Sequence, residues 1–263
     1  MNDTRFAHPV RGLVVGSVLA VALPWAVWST TIAEQRGLLS WHVPQSLAFW
    51  IGLPAAFLVA AAVSGGRDAL LDLVSRLLRW RVGWRPYAAA VALGVGLPLL
   101  AWFGVLVAGG RTATAPWGGL ATALLVETVL FWLTEEALWR GFLLPRVELF
   151  LSPGAAGLAV GVLWGLWHLP LFAIAGSFQS GLPFAGFFVL TVATSVILSW
   201  LYRLGRGSVL VCALFHGVID VMFVATGVLS ASPSAFWAVV VLHVAVAAAL
   251  WWRGALRPVT AAA

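Results

Sequence analysis

Long apolar runs recur along this chain, and they constrain its fold more than any other feature. About 20 apolar residues span a bilayer core as a helix, and only helices and closed barrels satisfy every backbone hydrogen bond in lipid. Eight runs qualify, at about residues 12–32, 46–63, 87–108, 117–137, 155–175, 183–202, 208–229 and 235–252. Charged residues make up 9% of the chain, against about 25% in a typical soluble domain. The sequence therefore predicts an all-α, polytopic transmembrane bundle of about eight spans, forming a single integral membrane domain over residues 1–263.

The basic residues report on topology. All fifteen are arginines, and they lie between the apolar runs rather than along one polar face, so we interpret them as topology signals and expect no nucleic-acid partner. If the N-terminus is cytoplasmic, only Arg36 and Arg111 fall outside, which leaves thirteen of the fifteen inside. This asymmetry follows the positive-inside rule. It predicts a multi-pass protein of the cell membrane with both termini cytoplasmic.

The connection between the second and third runs, RDALLDLVSRLLRWRVGW, has an apolar face at helical spacing. The residues near helical spacing are Leu70, Leu71, Val74, Leu77 and Leu78, and Trp80 and Trp84 follow. Such a pattern is typical of an amphipathic helix lying in the membrane interface, where indole rings favour the headgroup level. We predict an interfacial helix here, on the inner side.

Ionisable residues inside the apolar runs are candidates for function. Each costs at least about 2.5–3.5 kcal/mol at the centre of a membrane helix. The candidates are Glu127, Glu135, Glu136, His168, His216, Asp220 and His243. Glu127 and His243 have no partner at helical spacing. For both we favour a structural role, with Glu127 bonding a neighbouring helix rather than lining a cavity.

The two adjacent glutamates differ in their neighbours. Glu136 and Arg140 are four residues apart and so lie on one helix face, in the favourable orientation for an ion pair. Glu135 points about 100° away and has no partner in sequence. The fourth run, ending at 137, would leave Glu135 near the inner boundary, whereas His168 would lie about 20 Å in from it. We therefore expect the fourth helix to continue to about Leu144.

Two further spans carry histidines with a companion four residues away. Trp164 and His168 share a face of the fifth span, and His216 and Asp220 share a face of the seventh. Burial costs would be shared if spans four, five and seven converged on one hydrated cavity. A carboxylate with two imidazoles can activate water, with or without a metal.

At this point the chain resembles a known family. EEALWR, Glu135–Arg140, matches the EExxxR motif of the CPBP intramembrane proteases, also called the Abi or CAAX-protease family, which is similar to the type II CAAX prenyl endopeptidases. Trp164–His168 resembles the second motif, an aromatic residue followed by xxxH. His216–Asp220 resembles the third, Hxxx followed by Asn or Asp. Trp164 stands where phenylalanine is commoner, and Asp220 stands where many relatives have asparagine.

The resemblance implies an intramembrane endopeptidase acting on a membrane-associated protein or peptide in the lipid bilayer. By it, Glu135 activates the attacking water, and Glu136 is its partner, helped by Arg140. On this ground, Glu135, Glu136 and Arg140 are named as catalytic residues. The family is also called a metalloprotease family, although a metal-free glutamate mechanism is argued for eukaryotic relatives.

The remaining motif residues are assigned in the same way. His168 and His216 position water and stabilise the oxyanion, with Asp220 supporting them. The same two histidines with a carboxylate could instead hold zinc, but HExxH is absent and we favour the metal-free alternative. No other cofactor is expected.

Two other functions fit the sequence. A proton-coupled transporter could use these carboxylates and histidines as a relay, although no repeat or pair of broken helices is visible. A family member without proteolysis could act as a membrane scaffold or immunity factor. The three intact motifs favour the endopeptidase.

Overall fold

The computed structural model describes residues 7–112 and 118–256, and within these ranges it is all-helical with no strand. The α-helices are α1 Pro9–Gln35, α2 Leu53–Ser64, α3 Arg67–Leu77, α4 Trp84–Val107, α5 Leu120–Leu133, α6 Leu144–Val147, α7 Pro153–Trp167, α8 Phe184–Leu204, α9 Val209–Thr226, α10 Val228–Ala231 and α11 Pro233–Trp252. Two π-helical segments, Ala48–Gly52 and Ala137–Leu143, precede α2 and α6. Two 3₁₀ turns, Leu169–Ala173 and Gln179–Gly181, connect α7 to α8.

The predicted transmembrane class is confirmed, whereas the number of spans stays a prediction. Six of the described helices are long and apolar enough to cross a bilayer: Pro9–Gln35, Trp84–Val107, Pro153–Ala173, Phe184–Leu204, Val209–Thr226 and Pro233–Trp252. The other two predicted spans correspond to shorter apolar helices, Ala48–Ser64 and α5. Large apolar side chains on these helices point outward, as lipid contact requires. The chain is a multi-pass membrane protein.

Small residues let α7 approach α8 closely. A Cβ at Gly157 or Gly161 would lie 2.7 Å from the side chain of Ser199 or Ser195, respectively. Ser195 also donates a hydrogen bond to the Gly157 carbonyl at 2.9 Å. Close backbone approach through small residues is a main source of helix association in membranes. It fixes α7, whose far end carries Trp164 and His168.

The contact between α5 and α9 depends on one glycine. A Cβ at Gly217 would lie 2.9 Å from the Thr128 backbone nitrogen, which no side-chain movement relieves. The two helices therefore cross closely at Thr128 and Gly217. This crossing holds the second half of α9, with His216 and Asp220, against α5.

The fourth predicted span extends further than the sequence boundary at 137. Its α-helix ends at Leu133, and Thr134 leaves helical geometry with φ −122° and ψ −86°. The Thr134 hydroxyl donates to the Leu130 carbonyl at 2.6 Å, a local bond that competes with regular helix geometry. The chain then continues through the π segment and α6 to Val147. The expected single helix running to about Leu144 is found only in part: the chain stays helical to Val147, but the α-helix is interrupted just before Glu135.

Two arginines counted in the inner connections lie elsewhere. Arg140 and Arg146 are buried inside the bundle, with 0% and 1% of their surface exposed. The inner count therefore falls from thirteen to eleven, against two outside. Arginines still predominate on the inner side, but Arg140 and Arg146 are part of the buried interior rather than of the inner connections.

The predicted amphipathic helix corresponds to α3, although Leu70 and Leu77 of its apolar set pack against the core, and its place at the membrane interface stays a prediction. Leu71, Val74 and Leu78 are exposed along one side, while Leu73 and Asp72 are buried against the protein. Part of its apolar face thus points outward, as a helix lying in the interface requires.

Candidate active site

The three motifs come together although they lie on different helices. The break after α5 turns Glu135 and Glu136 inward, the end of α7 presents Trp164 and His168, and the middle of α9 presents His216. Direct hydrogen bonds connect the first segment to both of the other helices. The predicted convergence of spans four, five and seven is observed.

Glu136 lies at the centre of a buried polar network. Its Oε1 accepts a hydrogen bond from Arg140 Nη1 at 2.9 Å and lies 2.8 Å from His216 Nδ1. The side chains of Glu136 and Arg140 have no exposed surface. The predicted pairing with Arg140 is confirmed, and because a carboxylate only accepts, His216 Nδ1 carries the hydrogen.

Glu135 has a different environment. Its Oε2 accepts a hydrogen bond from the Trp164 indole N–H at 2.7 Å. The guanidinium carbon of Arg140 lies 4.6 Å from the centre of the Trp164 ring. The indole therefore contacts Glu135 through its N–H and Arg140 through its ring face. Glu135 keeps 3% of its surface exposed, whereas Glu136 keeps none. Of the two glutamates, only Glu135 retains any accessible surface.

His216 is fixed in orientation by three neighbours. Its ring stacks on Phe131 with centroids 3.7 Å apart and planes 5° from parallel. With Nδ1 bound to Glu136, its Nε2 lies 3.9 Å from Asp220 Oδ2. The Asp220 side chain is 46% exposed, so this contact lies at the accessible edge of the network.

His168 presents its second nitrogen differently. Its Nδ1 lies 2.8 Å from the Trp164 carbonyl oxygen, which only accepts, so Nδ1 carries the hydrogen. The ring packs edge-on against Trp167 and Phe187. Nε2 has no hydrogen-bond partner within the described ranges. In neutral His168, this nitrogen is an acceptor.

A cavity of about 410 Å³ adjoins these residues. Its polar lining residues are Glu127, Trp164, His168, Gln179, Thr191, Thr194, His216 and Asp220, and the rest of the lining is apolar. The expectation that Glu127 bonds a neighbouring helix is wrong, because Glu127 lines the cavity and makes no such bond in the described part of the chain. His243 lies apart, with Nδ1 donating to the Val239 carbonyl of its own helix.

The metal-binding capacity of the site depends on how its potential ligands are grouped. Within residues 7–112 and 118–256, no three histidine, cysteine, aspartate or glutamate side chains are grouped as metal ligands. The Nδ1 atoms of His168 and His216 contact a carbonyl and a carboxylate, which leaves Nε2 as the ring nitrogen that could ligate a metal, but no third ligand is grouped with the two histidines in the described residues. The possible zinc site at His168 and His216 stays a prediction, with two candidate ligands and no third grouped with them in the described residues.

Some residues of the site and its cavity were not predicted from the sequence. Phe131 stacks on His216, and its position four residues before Glu135 on the same segment was a usable signal. Phe178 and Gln179 reach the cavity from the connection between α7 and α8. Nothing in their local sequence indicates this, because a loop has no periodicity that predicts which way its side chains point.

Comparison with known proteins agrees with the motif positions. A family model described as Type II CAAX prenyl endopeptidase Rce1-like matches residues 116–222, which include all three motifs. The CAAX prenyl protease 2 of Methanococcus maripaludis is 25% identical to this chain over 188 residues, covering 64% of this chain and 68% of that protein. Together with the three motifs, these similarities support a CPBP/CAAX-type protease family and, in general, a membrane endopeptidase.

Proposed function

We propose that this protein hydrolyses a peptide bond within the membrane using a water molecule activated by Glu135. The observation that carries the proposal is the pair formed by Glu135 and Trp164, beside two imidazoles that line a cavity. The indole N–H holds Oε2 of the carboxylate, and Oε1 remains for a water molecule. Family similarity supports an endopeptidase in general, and this geometry supports the glutamate mechanism.

In the proposed reaction, Glu135 takes up one proton from water and returns it to the leaving amine, so no cofactor is needed. Glu135 accepts a proton from water as the water oxygen attacks the carbonyl carbon of the scissile bond. The resulting oxyanion accepts hydrogen bonds from nearby donors. As the carbon–nitrogen bond breaks, Glu135 passes its proton to the leaving amine. The carboxylate is then ready for the next water.

The two histidines take different roles in this scheme. Neutral His168 offers an acceptor at Nε2, which suits orienting the water by one of its hydrogens. His216 lies between the carboxylates of Glu136 and Asp220, and a proton on its Nε2 would be compensated by both. We therefore assign the oxyanion-donor role to His216 and the water-orienting role to His168.

Glu136, Arg140 and Asp220 act through their neighbours. Glu136 fixes the tautomer and orientation of His216, and Arg140 neutralises Glu136 and packs over Trp164. Asp220 supports the second nitrogen of His216. These are positioning residues, and the proposed hydrolysis requires no metal.

The substrate class follows from the lining of the cavity. We take it to be a membrane-associated protein or peptide that enters from the bilayer, because the cavity lining is largely apolar. The relative from Methanococcus maripaludis is named a CAAX prenyl protease. A prenylated C-terminus is therefore one substrate to test.

The decisive experiment compares cleavage products in a solubilised membrane proteome. Purified wild type and Glu135→Gln are each incubated with a solubilised membrane proteome, and new protein termini are identified by mass spectrometry. Wild type should generate termini that Glu135→Gln does not. Glu148→Gln, a change of carboxylate to amide in the connection between α6 and α7, should match wild type. Equal termini from wild type and Glu135→Gln would refute water activation by Glu135.

We also propose that both termini face the cytoplasm of the cell membrane, because eleven inner arginines remain against two outer ones. Reporter fusions after Gly37 and after Thr260 should report outside and inside, respectively. If both report the same side, the eight-span topology is wrong.

A further inference from the structure

Glu127 occupies a position that the proposed reaction does not use. It lies on α5, eight residues before Glu135, and lines the cavity together with Trp164, His168 and His216. No hydrogen bond or ion pair to its carboxylate exists in the described part of the chain. An ionisable residue in a membrane span without a structural partner requires a functional explanation.

Asp220 lies close to Glu127 for a structural reason. Helices α5 and α9 meet at Thr128 and Gly217, with no room for a side chain at the glycine. Glu127 directly precedes the contact on one helix, and Asp220 follows it by three residues, less than one turn, on the other. Both side chains line the same cavity. Two half-buried carboxylates therefore face one space.

Among the described lining residues, Asp220 has a basic neighbour, with its Oδ2 3.9 Å from His216 Nε2, but Glu127 has no ion-pair partner. None of the described lining residues of the cavity is arginine or lysine, and Arg140 lies behind Trp164, paired with Glu136. The surrounding lining is apolar, including Phe187, Leu190 and Ile219. In such surroundings an uncompensated carboxylate interacts strongly with any cation that enters.

The cavity also has a buried acceptor that points to an occupant. His168 is 8% exposed and contributes to the lining, and its Nε2 lacks a hydrogen-bond partner in the described residues. Together with the two carboxylates, this nitrogen gives the described lining several acceptors, with no arginine or lysine beside them. A ligand with several N–H donors on an apolar stem satisfies this arrangement.

We propose that Glu127, with Asp220, forms a subsite for a cationic side chain, and that the enzyme selects substrates carrying lysine or arginine next to the scissile bond. The apolar lining accommodates the methylene stem, and the carboxylates bind the ammonium or guanidinium head. The selection of a substrate rests on the proposed function. The binding of an alkyl cation does not, and it can be measured separately.

A fluorescent alkylamine tests the subsite directly. Monodansylcadaverine carries a primary ammonium group on a five-carbon stem, and its N-acetyl derivative is the neutral match. Dansyl emission is titrated with purified protein in detergent. Wild type should bind the cation at least about tenfold more tightly than the neutral analogue, as charge-assisted hydrogen bonds require. Glu127→Gln, which leaves only Asp220, should reduce this ratio several-fold, whereas Glu148→Gln should preserve it.

The outcomes separate this inference from the proposed reaction. Equal binding of the two probes by wild type, or an unchanged ratio in Glu127→Gln, overturns the subsite. Glu135→Gln should retain the ratio while losing cleavage, so a failure of the catalytic proposal leaves the binding result readable. A Glu127→Lys variant should reverse the preference towards the neutral probe. If it keeps the cationic preference, the proposed contact is wrong.

Discussion

Two buried polar clusters in this protein use similar residues in opposite ways. One, the α3–α8 cluster, consists of Asp72, Arg76 and Tyr202. The carboxylate of Asp72 accepts two hydrogen bonds from Arg76, at 2.8 and 3.0 Å, and the guanidinium also donates to the Tyr202 hydroxyl. Both oxygens of the carboxylate are engaged, and none of the three residues lines the site cavity.

The site cluster, formed by Glu135, Glu136, Arg140, His168 and His216, leaves bonding capacity unused. Glu136 Oε2 and Arg140 Nε and Nη2 are buried without hydrogen-bond partners in the described residues. A buried polar atom without a partner costs about 1–3 kcal/mol. The α3–α8 cluster thus holds two helices together, whereas the site cluster bears an uncompensated cost directly behind the residues that line the cavity.

The largest effect should follow from Glu136→Gln. Arg140 would lose its counter-charge inside the bundle, and removing one partner of a buried pair costs about 3–5 kcal/mol. His216 would lose its fixed orientation as well. We expect reduced protein yield, a lower unfolding midpoint and no turnover. Thermal unfolding in detergent and cleavage per folded molecule measure both effects, and wild-type stability in this variant would contradict the buried-pair argument.

Next in size is His216→Gln, which separates catalysis from stability within the site cluster. Removing one oxyanion donor costs on the order of 10²–10³ in rate. Glu136 keeps Arg140 as a partner in this variant, so unfolding should change little. The expected result is a residual rate with an almost unchanged unfolding midpoint. A rate within twofold of wild type would remove His216 from the mechanism.

Metal content tests whether His168 and His216 act as hydrogen-bonding groups or as metal ligands. Elemental analysis of purified wild type and His168→Ala should show no stoichiometric zinc in either, and chelators should leave cleavage unchanged. One equivalent of zinc in wild type that is lost in His168→Ala would establish a metal centre and overturn the donor role.

Asp72→Asn should affect stability and leave catalysis intact. The amide keeps the shape but weakens the charge-assisted bonds from Arg76, with an expected cost of about 1.5–3 kcal/mol. Cleavage per folded molecule should equal that of wild type, because the α3–α8 cluster does not reach the cavity. A loss of specific activity greater than the loss of folded protein would show that the two clusters are coupled.

These contrasts also explain what the sequence could predict. Glu136 and Arg140, or Trp164 and His168, are four residues apart on helices, so local geometry alone places each pair on one face. The approach of three spans followed from the cost of burying their charges separately. Local spacing and solvation therefore account for the correct part of the site.

The rest depended on tertiary contacts. The break at Thr134 arises from a side-chain bond to Leu130 that competes with the helix, and threonine is common in unbroken helices too. Glu127 was expected to bond a helix, but the close crossing at Gly217 leaves its side chain to the cavity. Arg146 was counted as an inner-loop charge, yet it donates to Phe142 O and Ser64 Oγ inside the bundle. The local sequence does not determine how each helix is rotated about its axis or how closely two helices cross.

The smallest predicted effect concerns Glu148, outside the spans and outside both clusters. Burial raises the pKa of its carboxyl above the ordinary value of 4.5, and the nearby Arg203, 3.6 Å away, offsets this only in part. The folded protein therefore binds this proton more tightly than the unfolded chain. Its contribution to stability is complete below pH 4.5 and is lost as the pH rises through the raised pKa.

Glu148→Gln removes this titration and the charge that burial disfavours. We expect the variant to equal or slightly exceed wild type in unfolding midpoint at neutral pH, with the difference shrinking or reversing towards pH 4.5. Unfolding midpoints of both proteins across this range measure it. If Glu148→Gln were clearly less stable at pH 7 than at pH 4.5 relative to wild type, the ion pair with Arg203 would outweigh burial. Glu148 would then behave like Asp72 in the α3–α8 cluster and would be a poor control for the site.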